Sequence, residues 1–295
     1  MRPVARVAAW LLLLLLAATF HANAAQDYQA TGMVVSVDRS HRTFVVSMEA
    51  IPNYMPAMTM PLEVVEAASL DGLVPGAIVT FTLHVDERTS RAERIRIVRF
   101  ENIQQDPFTA SRLKLLNDLA AGRGAPKAVG VGEVVPDFRL VDQTGRPVTL
   151  SGLRGKVVAV NFIYTSCALP NFCLRLANNF AVLQKRFHQQ LGRDLALLTL
   201  TFDPVHDTPE VLARYATQWK AEPPGWRFLT GAPADIRKVC DEFGVYAFAN
   251  EGLMDHSLHT ALIDRQGRLV ANIEGNEFTA TELGDLTENV LKAAR

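Results

Sequence analysis

Val157-Val-Ala-Val-Asn-Phe-Ile-Tyr164 runs straight into Thr165-Ser-Cys-Ala-Leu-Pro-Asn-Phe-Cys173, and the reading of this stretch decides the fold. The first half is a continuous apolar run, the pattern of a strand covered on both faces. The second half carries two of the chain's three cysteines, with five residues between them. A helical pattern follows from about Phe172 to Phe187. Leu195-Ala-Leu-Leu-Thr-Leu-Thr-Phe202 then reads as a second buried strand. Asp207-Thr-Pro-Glu210 opens another helix, with Asp207 expected as its N-cap and Pro209 in its first turn. A helix over 233–243, a hairpin made of 260–263 and 268–272, and a last helix over 280–294 complete the pattern. A buried β-α-β unit followed by a late hairpin and helix fits a thioredoxin-like α/β layer.

The cysteines raise three possibilities: a staple, a redox couple or a metal clamp. A thiol between a strand end and a helix N-terminus faces the positive end of the helix dipole, which is expected to lower its pKa and favour reactive thiolate. Pro170 suits a first helical turn, so Cys167 is placed in the loop and Cys173 in the first helical turn. On one continuous helix, residues six apart lie roughly 240° apart around the axis and ~9 Å along it. The pair therefore works together only if the intervening segment is a bent loop.

The N-terminus bears on compartment. Arg2 and Arg6 precede the apolar core Val7–Phe20, and Ala22-Asn-Ala24 follows as an A-x-A cleavage site. This reads as a signal peptide over 1–24, and so as an exported, periplasmic protein. The alternative is a retained membrane anchor, for which the 14-residue core is short against the ~20 residues of a span. Exported chains meet oxidising conditions, yet three cysteines are too few for a disulfide scaffold. Cys240 falls at helical spacing with Ile236 and Phe243 and reads as a buried core thiol. The 295 residues are 48% hydrophobic and 21% charged, with a formal net charge of -1. No basic field or nucleic-acid motif is present, so a nucleic-acid partner is not expected.

The region 29–100 has a different texture. Gly32–Val37 and Thr43–Ser47 flank a polar turn, and Ala77–Leu83 and Ala92–Val98 alternate as later strands. Short strands at this spacing suggest a small all-β, OB-like barrel. Residues 107–120 form an amphipathic helical pattern, and 121–127 a flexible linker, within a connecting region over 101–131. Four of the chain's seven methionines lie between Met48 and Met60. Met58 and Met60, two apart on a strand, face the same side. Thioethers are soft ligands that suit Cu(I), though methionine also serves as core filler.

Two resemblances connect these features. Gly132-Glu-Val-Val-Pro-Asp-Phe138, Asp142-Gln-Thr-Gly145, Phe162-Ile-Tyr-Thr-Ser-Cys167, Phe202-Asp-Pro-Val-His-Asp-Thr-Pro-Glu210, Trp226–Gly231 and Asp255-His-Ser257 resemble the Sco/SenC proteins across about 132–295. That resemblance implies a thioredoxin-like copper protein that metallates or reduces the copper site of cytochrome oxidase or another cuproenzyme. It implies Cys167, Cys173 and His256 as copper ligands, with the two cysteines also able to act as a redox pair. The family commonly has three residues between its cysteines, often with a proline after each; here there are five, and Ala168 and Leu174 stand at the proline positions. If 256–262 is a single extended strand, His256 and His259 face opposite sides, so only one imidazole reaches the cysteines.

Gly32-Met-Val-Val-Ser-Val-Asp38, Ile51-Pro52 and Pro56-Ala-Met-Thr-Met60 resemble the CusF-like copper-binding barrel. That resemblance implies Met58 and Met60 as Cu(I) ligands. Met48 stands where the family has histidine, as a substitute third ligand. The combined reading is a periplasmic copper chaperone or thiol reductant. A thiol–disulfide oxidoreductase without copper delivery, and simple copper sequestration, are the competing readings.

Overall fold

The computed structural model describes residues 26–86, 90–98, 128–167, 172–250 and 253–293. The expected signal peptide, the helix over 107–120 with its linker, and Pro170 lie outside the described residues.

The first unit is a closed barrel of five strands: β1 (Gln26–Asp38), β2 (Thr43–Met48), β3 (Met58–Glu63), β4 (Ile78–Val85) and β5 (Ser90–Ile97). Their order is β1-β2-β3-β5-β4, closed by the antiparallel β1–β4 pairing. β3 and β5 meet in parallel at Glu63 and Arg91, the join that turns a meander into an OB-like barrel. Alternation along each strand fills the interior, where Val34, Phe44, Val46, Met48, Leu62, Val79, Phe81 and Leu83 are buried together. Gly32 is required on β1, because a Cβ there would stand 2.4 Å from the Ser47 carbonyl oxygen.

The second unit is a seven-stranded mixed sheet with four helices. It contains β6 (Arg139–Asp142), β7 (Pro147–Thr149), β8 (Val157–Ile163), α1 (Cys173–Arg186), β9 (Leu195–Thr201), α2 (Pro209–Gln218), β10 (Trp226–Thr230) and α3 (Pro233–Phe243). The hairpin of β11 (Ala247–Asn250) and β12 (Leu253–His256) follows, then β13 (His259–Ile263), β14 (Leu269–Glu274) and α4 (Ala280–Ala293). The sheet order is β14-β13-β8-β9-β10-β6-β7. β8, β9 and β10 run parallel, and β13 pairs antiparallel with β8. Every residue of β8 and β9 is buried, which explains their largely apolar sequence. Two of their polar side chains reach across the core: Asn161 donates to the Leu176 carbonyl at 3.2 Å, while its Oδ1 is buried without a partner, and Thr199 Oγ1 accepts from Trp226 Nε1 at 2.9 Å.

Leu176, Ala177, Phe180 and Leu183 form the buried stripe of α1. α2 begins one residue later than expected: Thr208, not Asp207, is its N-cap, accepting from the Val211 N–H. Asp207 is drawn inward for another purpose, described below. α3 starts at Pro233 and ends on Gly244 at φ 73, the left-handed position glycine takes without strain. The residues 256–262 are two strands rather than one, with a break at Ser257–Leu258. No helix among the described residues is long and apolar enough to cross a membrane.

The barrel docks on α4. Met33 leaves the barrel interior and is buried in the core of the α/β unit. Ser47 and Thr59, paired across β2 and β3, each donate at 2.6 Å to the same Asp285 oxygen. The other Asp285 oxygen accepts from Arg186 at 2.6 Å, and Arg186 also reaches Glu288 at 2.8 Å. Burial pushes the Asp285 carboxyl up, but the hydrogen bonds from Ser47, Thr59 and Arg186 outweigh it and hold the group below the usual carboxylate range. A depressed folded pKa gives stability that is present above the unfolded value of about 3.9 and lost as pH falls through the folded value. Asp285→Asn is therefore expected to lower the unfolding free energy by about 1–2 kcal/mol at pH 7. The gap to the wild type should shrink as pH falls toward 3. Urea titrations at the two pH values check this, and a gap that is absent or independent of pH would remove the carboxylate from the docking contact.

Candidate metal centre

The site forms where β8 and β9 end. At the C-terminal end of β8 the chain turns at Tyr164, and the Cys167 N–H bonds back to the Tyr164 carbonyl at 3.3 Å. The turn is clamped by Asp207, which is 1% exposed. Its carboxylate accepts from the Thr165 N–H at 3.0 Å, from the Thr165 hydroxyl, and from the Thr201 hydroxyl at 2.5 Å. Thr165 follows β8 and Thr201 ends β9, so one carboxylate joins the ends of the two central strands. Asp203 instead pairs with His206, whose side chain is exposed on the surface.

Cys167 lies in the loop, and Cys173 is the first residue of α1. Both are buried and neither is in a disulfide. The Cys173 thiol is held well above the ordinary thiol range. Its hydrogen bond to Cys167 is the largest cause, followed by burial and the Cys167 charge. Backbone N–H groups, including that of Cys173 at the helix start, pull the other way. The expectation that the helix terminus lowers the thiol pKa is thus corrected for Cys173. Two thiols sharing one dry pocket keep a proton between them.

His256 ends β12. Its Nδ1–H donates to the Ser257 carbonyl at 3.1 Å, because a carbonyl oxygen only accepts. That fixes the tautomer and leaves the Nε2 lone pair free. Aromatic rings wall the imidazole: Phe202 at 4.6 Å between centroids, Tyr164 at 5.5 Å and Phe172 at 6.5 Å. The ligand-capable atoms of Cys167, Cys173 and His256 all lie within 4.8 Å of one another. No other group of three or more such side chains is found among the described residues. His259 is apart from it, buried in the sheet and donating through Nδ1 to Asn272 Oδ1 at 3.1 Å. Cys240 is buried on α3, where burial pushes its thiol up to about 12.

In the barrel, Met48 faces Met58 and Val46 faces Met60 across β2 and β3. Phe44, Val46 and Met48 alternate inward, and by register Met58 and Met60 lie on the same side of the β2–β3 ladder as Met48. Met48 is buried, Met60 half-buried and Met58 exposed. The intervening Ser47 and Thr59 face the other way, toward Asp285. Sequence reasoning missed Tyr164 and the Asp285–Arg186 contact. The first is visible only as an aromatic at a strand end, and the second has no sequence signal.

A family model described as SCO1/SenC matches residues 127–292, and one described as copper binding periplasmic protein CusF matches residues 27–97. The SCO2-like protein RP587 of Rickettsia prowazekii is 33% identical over 159 residues, which cover 52% of this chain and 74% of that protein. The SCO2-like protein RT0576 of Rickettsia typhi is 33% identical over 168 residues, covering 55% of this chain and 78% of that one. The solved structure of Bradyrhizobium japonicum ScoI with copper bound shares 28% identity, covers 54% of this chain and 99% of its own, and superposes with a TM-score of 0.46. With the SCO1/SenC model spanning more than half of its length, this chain belongs to the SCO1/SenC family and carries a CusF-like domain ahead of the thioredoxin-like one.

Proposed function

We propose that this chain is an exported, periplasmic copper-binding protein of the Sco type that passes copper, or reducing equivalents, to a cuproenzyme site such as that of cytochrome oxidase. The observation that carries the reading is the convergence of two thiol sulfurs and one imidazole within 4.8 Å. Cys167 and Cys173 are assigned as thiolate ligands, and His256 as the third ligand through Nε2. Two soft sulfurs with one imidazole suit copper in either oxidation state. Binding a cation releases the proton that the metal-free pair retains, so copper relieves the crowding of charge in the pocket.

Met58 and Met60 are assigned to a second, Cu(I) site, with Met48 as its third thioether. Thioethers carry no titrating proton, so this site stays competent across a wide pH range. The docking contact of the barrel lies at the opposite end of α1 from Cys173. Cys173 begins α1 and Arg186, which holds Asp285, ends it. That helix is about 20 Å long at 1.5 Å per residue.

The competing reading, a thiol–disulfide oxidoreductase, draws on the closeness of two reduced cysteines. One thiolate would attack a partner's disulfide and form a mixed disulfide. The second would displace it, leaving the partner reduced by two electrons and Cys167–Cys173 oxidised. Copper stoichiometry separates the two.

X-ray absorption and metal analysis of the copper-loaded full chain are expected to give two coppers, one in a mixed sulfur and nitrogen shell and one in a sulfur shell. The double variant Cys167→Ser/Cys173→Ser should keep only the second, and Met58→Leu/Met60→Leu only the first. Two coppers retained in the cysteine variant, or an empty cysteine pair that turns over a disulfide substrate, would sink the copper reading. For Met48, which is 1% exposed in the barrel core, truncation to Ala would leave a cavity. Met48→Leu conserves volume and removes only the sulfur. A loss of Cu(I) affinity of about tenfold or more, with little change in melting temperature, is the expected result; unchanged affinity would confine the site to Met58 and Met60.

A further inference from the structure

A groove of about 560 Å³ lies where the barrel meets an edge of the sheet. The barrel unit lines it with Val74, Ile78 and Val98, and the α/β unit with Val131, Ile273 and Phe278. Ile273 lies on β14, an edge strand of the seven-stranded sheet. The barrel loop comes close at Gly76, where a Cβ would stand 2.9 Å from Ile273 Cγ1. Ile273 and Phe278 are buried, whereas Val74, Val98 and Val131 are 43%, 40% and 47% exposed. An apolar patch of this kind marks an interaction site, and native proteins blunt or cover the edges of their sheets. Two exposed carboxylates, Glu274 and Glu277, complete the lining.

The chain's own path supplies an occupant. It leaves the described residues at Val98 and re-enters them at Ala128, three residues before Val131, so both ends of 99–127 start from the groove. Within that stretch Phe108, Leu115, Leu116 and Leu119 stand at helical spacings and share one face of the pattern over 107–120. Across 107–127, Arg112, Lys114, Arg123 and Lys127 stand against one acid, Asp118, which complements the two carboxylates of the groove. We propose that 107–120 seats in this groove of its own molecule as an amphipathic helix, its apolar face on Val74, Val98 and Val131. The stretches 99–106 and 121–127 that tether it reach at most roughly 30 Å even when extended. They hold the segment beside the groove at an effective concentration of ~mM, above that of a second molecule in dilute solution. A helix of this length is marginal alone in water, and the groove supplies the burial it needs. Once seated, it covers the sheet edge and gives the barrel a second hold on the α/β unit, beside Asp285.

Amide hydrogen exchange on the full chain tests the seat. A free peptide of residues 107–120 gives the rates of the undocked segment. In the full chain the amides of 111–119 are expected to exchange slower by about tenfold or more, equally at low and high protein concentration. Val131→Asp puts a charge in the groove and should return 111–119 to the rates of the free peptide. Leu115→Asp/Leu119→Asp should do the same from the side of the segment, and should also quicken exchange at 271–277 on the groove. This second variant changes nothing in the described core, so the test stands whatever Val131→Asp does to folding. Free-peptide rates in the wild type, or protection that survives both variants, would overturn the proposal. Protection lost on dilution would place the segment in the groove of a second copy, and would overturn it as well.

Discussion

The buried carboxylate of Asp207 is the constraint on which the centre depends. Two parallel strands, β8 and β9, run through the core with both faces covered, and their carboxyl ends open onto the place where α/β sheets usually bind ligands. Asp207 takes hydrogen bonds from the turn after β8 and from the last residue of β9. A buried charge is costly unless it is fully hydrogen-bonded, and here three donors satisfy it. The turn carrying Thr165 is thereby fixed, Cys167 follows two residues later, and the loop returns to Cys173 at the start of α1. The capping role that Asp207 gives up passes to its neighbour Thr208, which explains the one-residue shift of α2.

Around that fixed turn, the pocket works by being dry. Phe202, Tyr164 and Phe172 enclose the imidazole, and the cysteines are buried. Low polarity penalises two thiolates side by side, which is why Cys173 holds its proton. Such a pair has two ways to relieve the strain of charge: a soft cation between the sulfurs, or oxidation to a disulfide. The same arrangement of atoms is thus chemically compatible with either.

The barrel reuses strand alternation for two tasks at once. On β2 and β3, Met48, Met58 and Met60 lie on one side of the ladder while Ser47 and Thr59 face α4. The ladder that presents the thioethers is therefore the ladder that docks the barrel. Asp285 receives both hydroxyls and is itself held by Arg186 on α1. Barrel, last helix and cysteine-bearing helix are joined through one side-chain network, which is much of what fixes the barrel's orientation on the α/β unit.

Much was legible in the chain itself. The largely apolar runs of 157–163 and 195–201 specify doubly covered strands, because only such strands have no solvent-facing polar side. The switch from period-two alternation before residue 100 to strand–helix alternation after 130 separates a barrel from an α/β layer. What the sequence could not decide were the contacts that depend on folding in three dimensions. His256 lies 83 residues beyond Cys173, and only the break after β12 turns it to the cysteines while His259 goes into the sheet. The raised thiol pKa needed burial and the neighbouring sulfur, neither of which a helix-dipole argument contains. Asp285, Arg186 and Ser47 look like ordinary surface residues in one dimension, since local periodicity records which face of an element is buried but not which element covers it.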